Sequence, residues 1–152
     1  MNDWPFLFDT NVWIALTFNA HPGHQAARRV FSGASRDRPA CFCRATQQSV
    51  LRLASTDTVT HKTYGVPMTN ADALRTFEGF LSNPHVSFRV EPAKLESLWP
   101  KNAALKSASP KVWMDAYLAA FAIAGELTLA TFDGDFKAYE KHGLDLLLID
   151  TK

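Results

Sequence analysis

The chain has only two cysteines, and they lie close together in the sequence. Cys41 and Cys43 are two residues apart in an apolar stretch. An extended strand would place both side chains on one face, too close in sequence for an easy disulfide. We therefore expect buried free thiols in preference to a redox or metal role.

Signals for export and for membrane insertion are also lacking. The sequence contains neither a basic region followed by an apolar core near its beginning nor a run of about 18 apolar residues. We expect a protein that neither is secreted nor spans a membrane, and hence a cytoplasmic location. Its 152 residues, 47% hydrophobic and 20% charged, predict one globular domain with a proper core.

The net excess of one charge sign is small, but the positive residues are unevenly distributed along the chain. The formal net charge is only +1, which does not require a nucleic-acid partner, and no lysine precedes Lys62. Six arginines lie between Arg28 and Arg52, against the single acid Asp37. Arginine makes forked contacts to phosphate oxygens, so this segment is a candidate for binding a phosphate backbone. A solvated helix face is the alternative.

What the sequence does contain is an alternation of strand-like and helix-like segments. Helical patterns occur at 12–18 and 24–31, separated by Pro22-Gly23, then from Thr69 to near Leu81, and from Ser109-Pro110 to Gly125. Such an α/β alternation predicts a parallel sheet covered by helices on both faces. The predicted strands are the short apolar runs at 6–8, 40–42, 86–90, 127–131 and 146–149.

Two acids lie just past the carboxyl ends of predicted strands. Asp9 comes after Phe6-Leu7-Phe8, and Asp133 follows the fourth predicted strand in the same manner. In open parallel α/β sheets, ligands bind at the carboxyl ends of the strands. The alternative for Asp9 is that it caps the helix that follows.

Asp115 is the third acid of interest because its surroundings are apolar. It is the single charged residue among the fourteen residues 112–125. A helix that is apolar on nearly every side is buried, and a buried carboxylate without a partner is costly. A position in the first turn of the helix would offset only about 0.3–1 kcal/mol of that cost. Asp9, Asp115 and Asp133 together predict a site for a divalent cation, and oxygen ligands favour Mg²⁺ or Mn²⁺ over zinc.

Five segments in the same order resemble the PIN-domain nucleases, and among them the VapC-type toxins of toxin–antitoxin modules. They are FDTNVWIAL, the H-x-x-A-x-x-x-F pattern of residues 24–31, CRATQQSVLRL, MDAYLAAFA and TFDGDF. The resemblance covers almost the whole chain. It implies one PIN-like domain over residues 1–152, with a central parallel sheet of about five strands between two helical layers.

The resemblance also assigns expected roles to residues. It implies that Asp9, Asp115 and Asp133 are acidic metal-site residues, that Asn11 and Thr131 orient them, and that Asp135 lies beside the site. Many family members carry T-E-x-x-x-x-R after the second strand, whereas Gln47 follows Thr46 here, with Arg52 in the matching place. The neutral amide contributes no charge to a metal. Arg44 and Arg52 are candidate RNA-binding residues, and Gln47 is a candidate supporting residue or a residue of the helix surface.

The function that the resemblance implies is Mg²⁺-dependent hydrolysis of RNA by a toxin that a VapB-like antitoxin inhibits. An apolar surface around residues 12–31, with Trp13, Leu16 and Phe18 as anchors, is expected to bind that partner, and a homodimer is a further expectation. The alternatives are a nuclease of the same fold with no partner, and an RNA- or protein-binding module that does not cut. A phosphatase with Asp9 as nucleophile is disfavoured because it would require a D-x-D arrangement, and position 11 is Asn.

Overall fold

The protein is built on a parallel five-stranded sheet. The computed structural model describes residues 2–151, except for the side chain of Val59. The strand order is β3-β2-β1-β4-β5, and every pair of neighbouring strands is parallel. The strands are β1 Phe6–Phe8, β2 Ala40–Phe42, β3 Val86–Phe88, β4 Thr128–Thr131 and β5 Asp145–Leu148.

Helices connect the strands and cover both faces of the sheet. A 3-10 helix, Gly134–His142, joins β4 to β5. The α-helices among residues 2–151 are α1 Thr10–Thr17, α2 His24–Phe31, α3 Arg44–Ala54, α4 Asp57–Thr60, α5 Asn70–Ser82, α6 Leu95–Ala103 and α7 Pro110–Gly125. This three-layer α/β architecture confirms the predicted fold class.

Alternating strand residues separate two hydrophobic clusters, one on each face of the sheet. Phe8 of β1 belongs to the cluster formed with α1, α2, α3 and α5, where the rings of Trp13 and Phe42 stack with centroids 3.8 Å apart. Leu7 belongs to the opposite cluster, formed with α6, α7 and the 3-10 helix. Burial on both faces explains why β1 and β2 are short apolar runs without alternating polar residues.

Several local predictions are confirmed. Cys41 and Cys43 are free, buried and members of the same cluster. The Thr69 hydroxyl accepts a hydrogen bond from the backbone N–H of Asp72 and so caps α5 as predicted. Helix α7 begins at Pro110 and ends at Gly125, as the proline and glycine signals predicted.

The aromatic side chains expected to anchor a partner protein around residues 12–31 are buried instead. Trp13 and Phe18 are 0% and 2% exposed, so they belong to the core and cannot anchor a partner protein. Leu16 is only partly buried but packs against the same cluster. Among the helices described, none combines the length and the apolar character that crossing a membrane requires.

Candidate functional site

The candidate site lies where the chain order of the sheet reverses. From β1, the chain adds β2 and β3 on one side and β4 and β5 on the other, so β1 and β4 flank the switch point. Asp9 follows β1, and its backbone N–H donates to the Ala130 carbonyl of β4 at 3.0 Å. The carboxyl ends of strands at such a point form the crevice in which α/β proteins bind ligands.

Asp9 is both a helix cap and a residue of this crevice. Its Oδ1 accepts a hydrogen bond from the backbone N–H of Thr10 at 2.7 Å, at the start of α1. Its Oδ2 accepts one from the Thr131 hydroxyl, also at 2.7 Å. The two interpretations of the sequence are therefore compatible, because one oxygen caps the helix while the other faces β4.

Thr131 and Asn11 connect Asp9 to the segment that carries Asp133. The Thr131 hydroxyl accepts hydrogen bonds from Asn11 Nδ2 at 3.2 Å and from the backbone N–H of Asp133 at 3.0 Å. Asn11 Oδ1 in turn accepts from the backbone N–H of Phe132 at 3.4 Å. With its donation to Asp9, the hydroxyl uses its full hydrogen-bonding capacity, and this fixes the two strand ends relative to each other.

Three carboxylates meet beside these strand ends. Asp115, Asp133 and Asp135 each offer one oxygen, and the three oxygens lie within 4.8 Å of one another. Asp133 caps the 3-10 helix, since its Oδ1 accepts from the backbone N–H of Asp135 at 2.9 Å. Among the described residues, this acid group contains Asp135 and not Asp9, whereas the sequence pointed to Asp9, Asp115 and Asp133 as the metal-binding set.

Asp115 lies one turn further into α7 than the sequence argument assumed. Helix α7 begins at Pro110 and has no acid in its first turn. The helix dipole acts mainly on the first turn, so it does little to stabilise the Asp115 carboxylate. A positive charge other than that of the helix dipole is needed to stabilise this carboxylate.

Lys111 supplies that charge, and the sequence interpretation missed it. Its Nζ lies 2.9 Å from Asp133 Oδ2, 3.0 Å from Asp135 Oδ2 and 3.4 Å from Asp115 Oδ2. One ammonium group therefore contacts all three carboxylates. The signal in the sequence was the four-residue spacing of Lys111 and Asp115, which places the two side chains on one face of a helix.

The acids differ in how their surroundings affect proton binding. Burial raises the pKa of Asp9 and of Asp115, although the Thr131 hydroxyl lowers that of Asp9 and Lys111 lowers that of Asp115. Burial also raises the pKa of Asp133, but the N–H of Asp135 and Lys111 outweigh it, so this pKa lies below its usual value. Hydrogen bonds to Asp133 and Asp135 hold the pKa of Lys111 well above its ordinary value.

A cavity of about 420 Å³ opens beside the acid group. Asp9, Lys111 and Asp115 lie on its polar side, and α3 contributes Ala45, Thr46 and Ser49. The remaining wall is mainly apolar and consists of Trp99, Trp113, Met114, Tyr117 and Leu118 together with Thr10. Asp9 and Asp115 thus face one space although they come from opposite ends of the sequence.

None of the residues Arg44, Gln47 and Arg52 of α3 lines this cavity, and Arg52 lies at a separate depression together with Ser55 and Leu74. Gln47 Oε1 accepts a hydrogen bond from Arg44 Nη1. The Arg44 guanidinium also lies over the Phe88 ring, 4.9 Å from its centroid. Arg44 and Arg52 are both exposed, as residues that contact a nucleic acid must be.

The chemistry of the donor set fits a divalent cation. Three carboxylate oxygens converge and Lys111, a cation of the chain itself, contacts all of them, so the arrangement already favours positive charge. Carboxylates without cysteine or histidine are the ligands that Mg²⁺ and Mn²⁺ prefer. Asp9, across the cavity, adds a further negative charge.

Comparison with known proteins shows the family to which the chain belongs. The sequence profile of the PIN domain matches residues 6–142. The chain is 41% identical to ribonuclease VapC41 of Mycobacterium tuberculosis, strains CDC 1551 / Oshkosh and H37Rv, over 144 residues, which are 94% of this chain and 97% of that relative.

Solved structures share the fold at much lower sequence identity. VapBC2 from Rickettsia felis, bound to a DNA fragment from its promoter, matches 95% of this chain and 98% of its own, with a TM-score of 0.61 and 13% identity. VapC20 of M. tuberculosis, a Sarcin-Ricin loop cleaving toxin, matches 88% and 93% of the two chains, with a TM-score of 0.59 and 18% identity. The chain therefore belongs to the PIN domain family, within which it is a homologue of the VapC ribonucleases.

Proposed function

We propose that this chain is a Mg²⁺-dependent endoribonuclease and the toxin of a VapBC-like toxin–antitoxin pair. The observation that carries the proposal is the acid group at the switch point of the sheet, in a chain that is 41% identical to a ribonuclease. Asp115, Asp133 and Asp135 hold the cation, and Asp9 faces the same crevice. Mn²⁺ is an acceptable substitute because it prefers the same oxygen ligands.

A bound cation would supply a water molecule of lowered pKa and would stabilise charge on the phosphate oxygens. The residues of the chain provide the framework. Thr131 holds the Asp9 carboxylate in one orientation, and Asn11 holds Thr131, so the side chains need little reorganisation when substrate arrives. Lys111 is close enough to the acids to neutralise part of their charge and to meet a substrate phosphate.

The direct test is cleavage of a defined RNA hairpin by the purified chain across a Mg²⁺ titration. We expect cleavage that EDTA abolishes and that added Mg²⁺ or Mn²⁺ restores. The Asp133→Asn variant, purified in parallel, is the control for contaminating RNases, and it should leave the RNA intact. Equal cleavage in EDTA and in Mg²⁺ would contradict the proposal.

One observation favours a second candidate function, an RNA-binding module that does not cut. Lys111 already neutralises part of the charge of the acid group, and Gln47 contributes no charge to the site. Such a module would bind the hairpin at every Mg²⁺ concentration and leave it uncut. A binding assay run beside the cleavage assay separates the two functions.

The toxin role concerns the partner and requires a test in cells. We propose that a small antitoxin protein binds this chain and blocks the acid group, as the VapBC pairing in the Rickettsia felis neighbour suggests. Induction of the wild-type chain should arrest growth, whereas induction of Asp133→Asn should not. Light scattering of the purified chain tests the further expectation of a homodimer.

Lys111 is expected to compete with the divalent cation. Lys111→Met removes the ammonium group from the three carboxylates, so Mg²⁺ should bind more tightly. Because the lysine side chain is 62% exposed, solvent screens these ion pairs, and we expect a gain of roughly fivefold, which corresponds to about 1 kcal/mol. Isothermal titration with Mg²⁺ measures it, and Lys101→Met, an exposed lysine of α6, is the control. Unchanged or weaker binding would contradict the expectation.

Gln47 offers a second way to alter the charge of the site. Gln47→Glu adds a carboxylate and should tighten Mg²⁺ binding, because affinity depends on ligand charge and number. Arg44 competes for that carboxylate, since it already donates to the Gln47 amide. The gain should therefore be larger when Arg44→Met is also present. Identical Mg²⁺ titrations for all these variants would show that position 47 has no part in the site.

A further inference from the structure

We propose that the cavity beside the acid group binds one unpaired nucleobase of the RNA, with Trp113 as the stacking surface. The inference rests on the proposed ribonuclease function and specifies its substrate as a single-stranded or looped segment. The base would enter the apolar part of the cavity, while its phosphodiester would remain next to the acids.

The aromatic wall of the cavity is already held in place without a ligand. Trp99 makes edge-to-face contacts with Trp113 and Tyr117, at centroid distances of 6.3 and 5.2 Å and an angle of 85° in both pairs. Its indole N–H donates to the Trp113 carbonyl at 2.7 Å. The Tyr117 hydroxyl donates to Glu91 at 2.8 Å. Three rings from α6 and α7 thus form a braced surface that needs little ordering on binding.

Trp113 is braced and yet half of it remains in contact with solvent. It is 50% exposed, and its neighbour Met114 is 62% exposed. Large apolar side chains grouped at the surface cost hydration free energy and often mark a binding site. The α7 segment from Ala116 to Ala122 shows that this same helix buries its apolar residues wherever packing permits. The exposed pair lies at the end of α7 that reaches the acid group.

The cavity is continuous with the proposed catalytic group. Asp9, Lys111 and Asp115 line the same space as Trp113. Residues two apart on a helix point to different sides, so it is the shared cavity, and not their spacing on α7, that brings Trp113 and Asp115 together. A base stacked on Trp113 would occupy the same cavity that Asp115 lines, with its adjoining phosphate towards the carboxylates.

The charge and the shape of the cavity favour a base over other parts of the RNA. The acids repel phosphates that lack a cation, and most of the wall is apolar, so an uncharged aromatic ring is the suitable occupant. A volume of about 420 Å³ lies in the range of small-molecule sites. Bases in a duplex are stacked and inaccessible, whereas bases in loops are free to stack on aromatic side chains.

The test uses RNA binding by variants that cannot cut. In an Asp133→Asn background, the probe is an RNA hairpin with 2-aminopurine in its loop, whose fluorescence falls when the base stacks. We expect Trp113→Ala to weaken binding by about tenfold and to abolish the fluorescence change, whereas Trp113→Phe retains most of both. Trp4→Ala, a tryptophan outside the cavity, is the matched control. In the same Asp133→Asn background, a hairpin with an abasic loop position should bind equally well to the chain that retains Trp113 and to the chain with Trp113→Ala.

Each outcome separates the pocket from the ribonuclease function. Loop binding and fluorescence unchanged in Trp113→Ala, with cleavage intact in the corresponding variant that retains Asp133, would overturn the pocket alone. A wild-type chain that never cuts but binds the loop through Trp113 would overturn the ribonuclease function alone. If Trp113→Ala changes self-association or antitoxin binding and leaves RNA binding untouched, a protein occupies the surface and the inference is wrong.

Discussion

Replacing Asp115 or Asp133 by Asn is expected to reduce RNA cleavage by at least about 100-fold, the effect of removing one pre-organised electrostatic group from an active site. Each change removes one of the three carboxylates whose oxygens lie within 4.8 Å of one another. The remaining pair offers less charge and fewer ligands to a divalent cation, so both cation affinity and rate should fall.

Folding should survive these substitutions, which makes the cleavage result interpretable. Asn keeps the shape of the side chain at both positions. At Asp115 the loss of the charge relieves burial and the repulsion by Asp133 and Asp135. At Asp133 it removes a charge that Lys111 stabilises, but the Asn oxygen can still accept from the Asp135 N–H. Asp37→Asn, an exposed residue distant in sequence from the acid group, is the matched control and should cut like wild type. Initial rates on the RNA hairpin at saturating Mg²⁺ provide the measurement, with circular dichroism as the check on folding.

Asp135→Asn tests which of the acids matter most. Asp135 is exposed and is a member of the acid group, whereas Asp9 is partly buried and lies outside it. If Asp135 is a ligand, its loss should weaken cation binding at limiting Mg²⁺ more than it lowers the rate at saturating Mg²⁺. Full activity in two of the three variants Asp9→Asn, Asp115→Asn and Asp133→Asn would remove this constellation from consideration.

Much of the fold could be predicted because its central strands are buried on both faces. Such strands are continuous apolar runs, and those at 6–8 and 40–42 were predicted with the observed bounds. The third strand ends at Phe88, earlier than predicted, and Val90 beyond it is 80% exposed. Apolarity alone does not reveal where a segment leaves the sheet.

Elements defined by long-range packing were not predicted. Helix α6 contains Pro100, which normally ends a helix, but its contacts with α7 stabilise it nevertheless. The 3-10 helix from Gly134 to His142 has no regular apolar period, and it is anchored by Phe136 and Tyr139 in the core. Both elements depend on neighbours that a local pattern does not contain.

The acids of the site were predictable and their counter-ion was not. Asp9 and Asp133 follow strands, and Asp115 interrupts an apolar helix, so each is unusual within its own segment. Lys111 is an ordinary charge in the first turn of a helix, typical of a solvated surface. Only the fold brings Asp133 and Asp135 to its ammonium group, across more than twenty residues of sequence.

Asp9→Asn is expected to stabilise the protein in the absence of metal while reducing cleavage as strongly as the other two substitutions. Burial is the main cause that raises the pKa of Asp9 above its ordinary value of 3.8, and repulsion by Asp115 and Asp133 adds to it. An ionised Asp9 therefore destabilises the folded state. Asn removes this charge but has a single oxygen, so it can accept from the Thr10 N–H or from the Thr131 hydroxyl and not from both. The lost hydrogen bond offsets part of the gain.

The pH dependence of this effect has a definite sign. Between the unfolded pKa near 3.8 and the raised folded pKa, the folded protein binds more protons than the unfolded chain, so the contribution of Asp9 to stability falls as pH rises. Above the folded pKa the full cost is present. Asp9→Asn should therefore exceed wild type in thermal stability at pH 7, and the difference should shrink as the pH approaches 3.8.

Added Mg²⁺ should reverse the order of the two proteins. A ligand that binds only the folded state raises its stability in proportion to the logarithm of the ligand concentration, so the chain with the stronger site gains more. Wild type keeps four acids around the crevice and should gain several degrees in melting temperature, since each kcal/mol is worth roughly 2–4 °C for a chain of this size. Asp9→Asn should gain less. Melting curves at pH 7 with and without Mg²⁺ measure both effects, and parallel shifts in the two proteins would show that Asp9 takes no part in holding the cation.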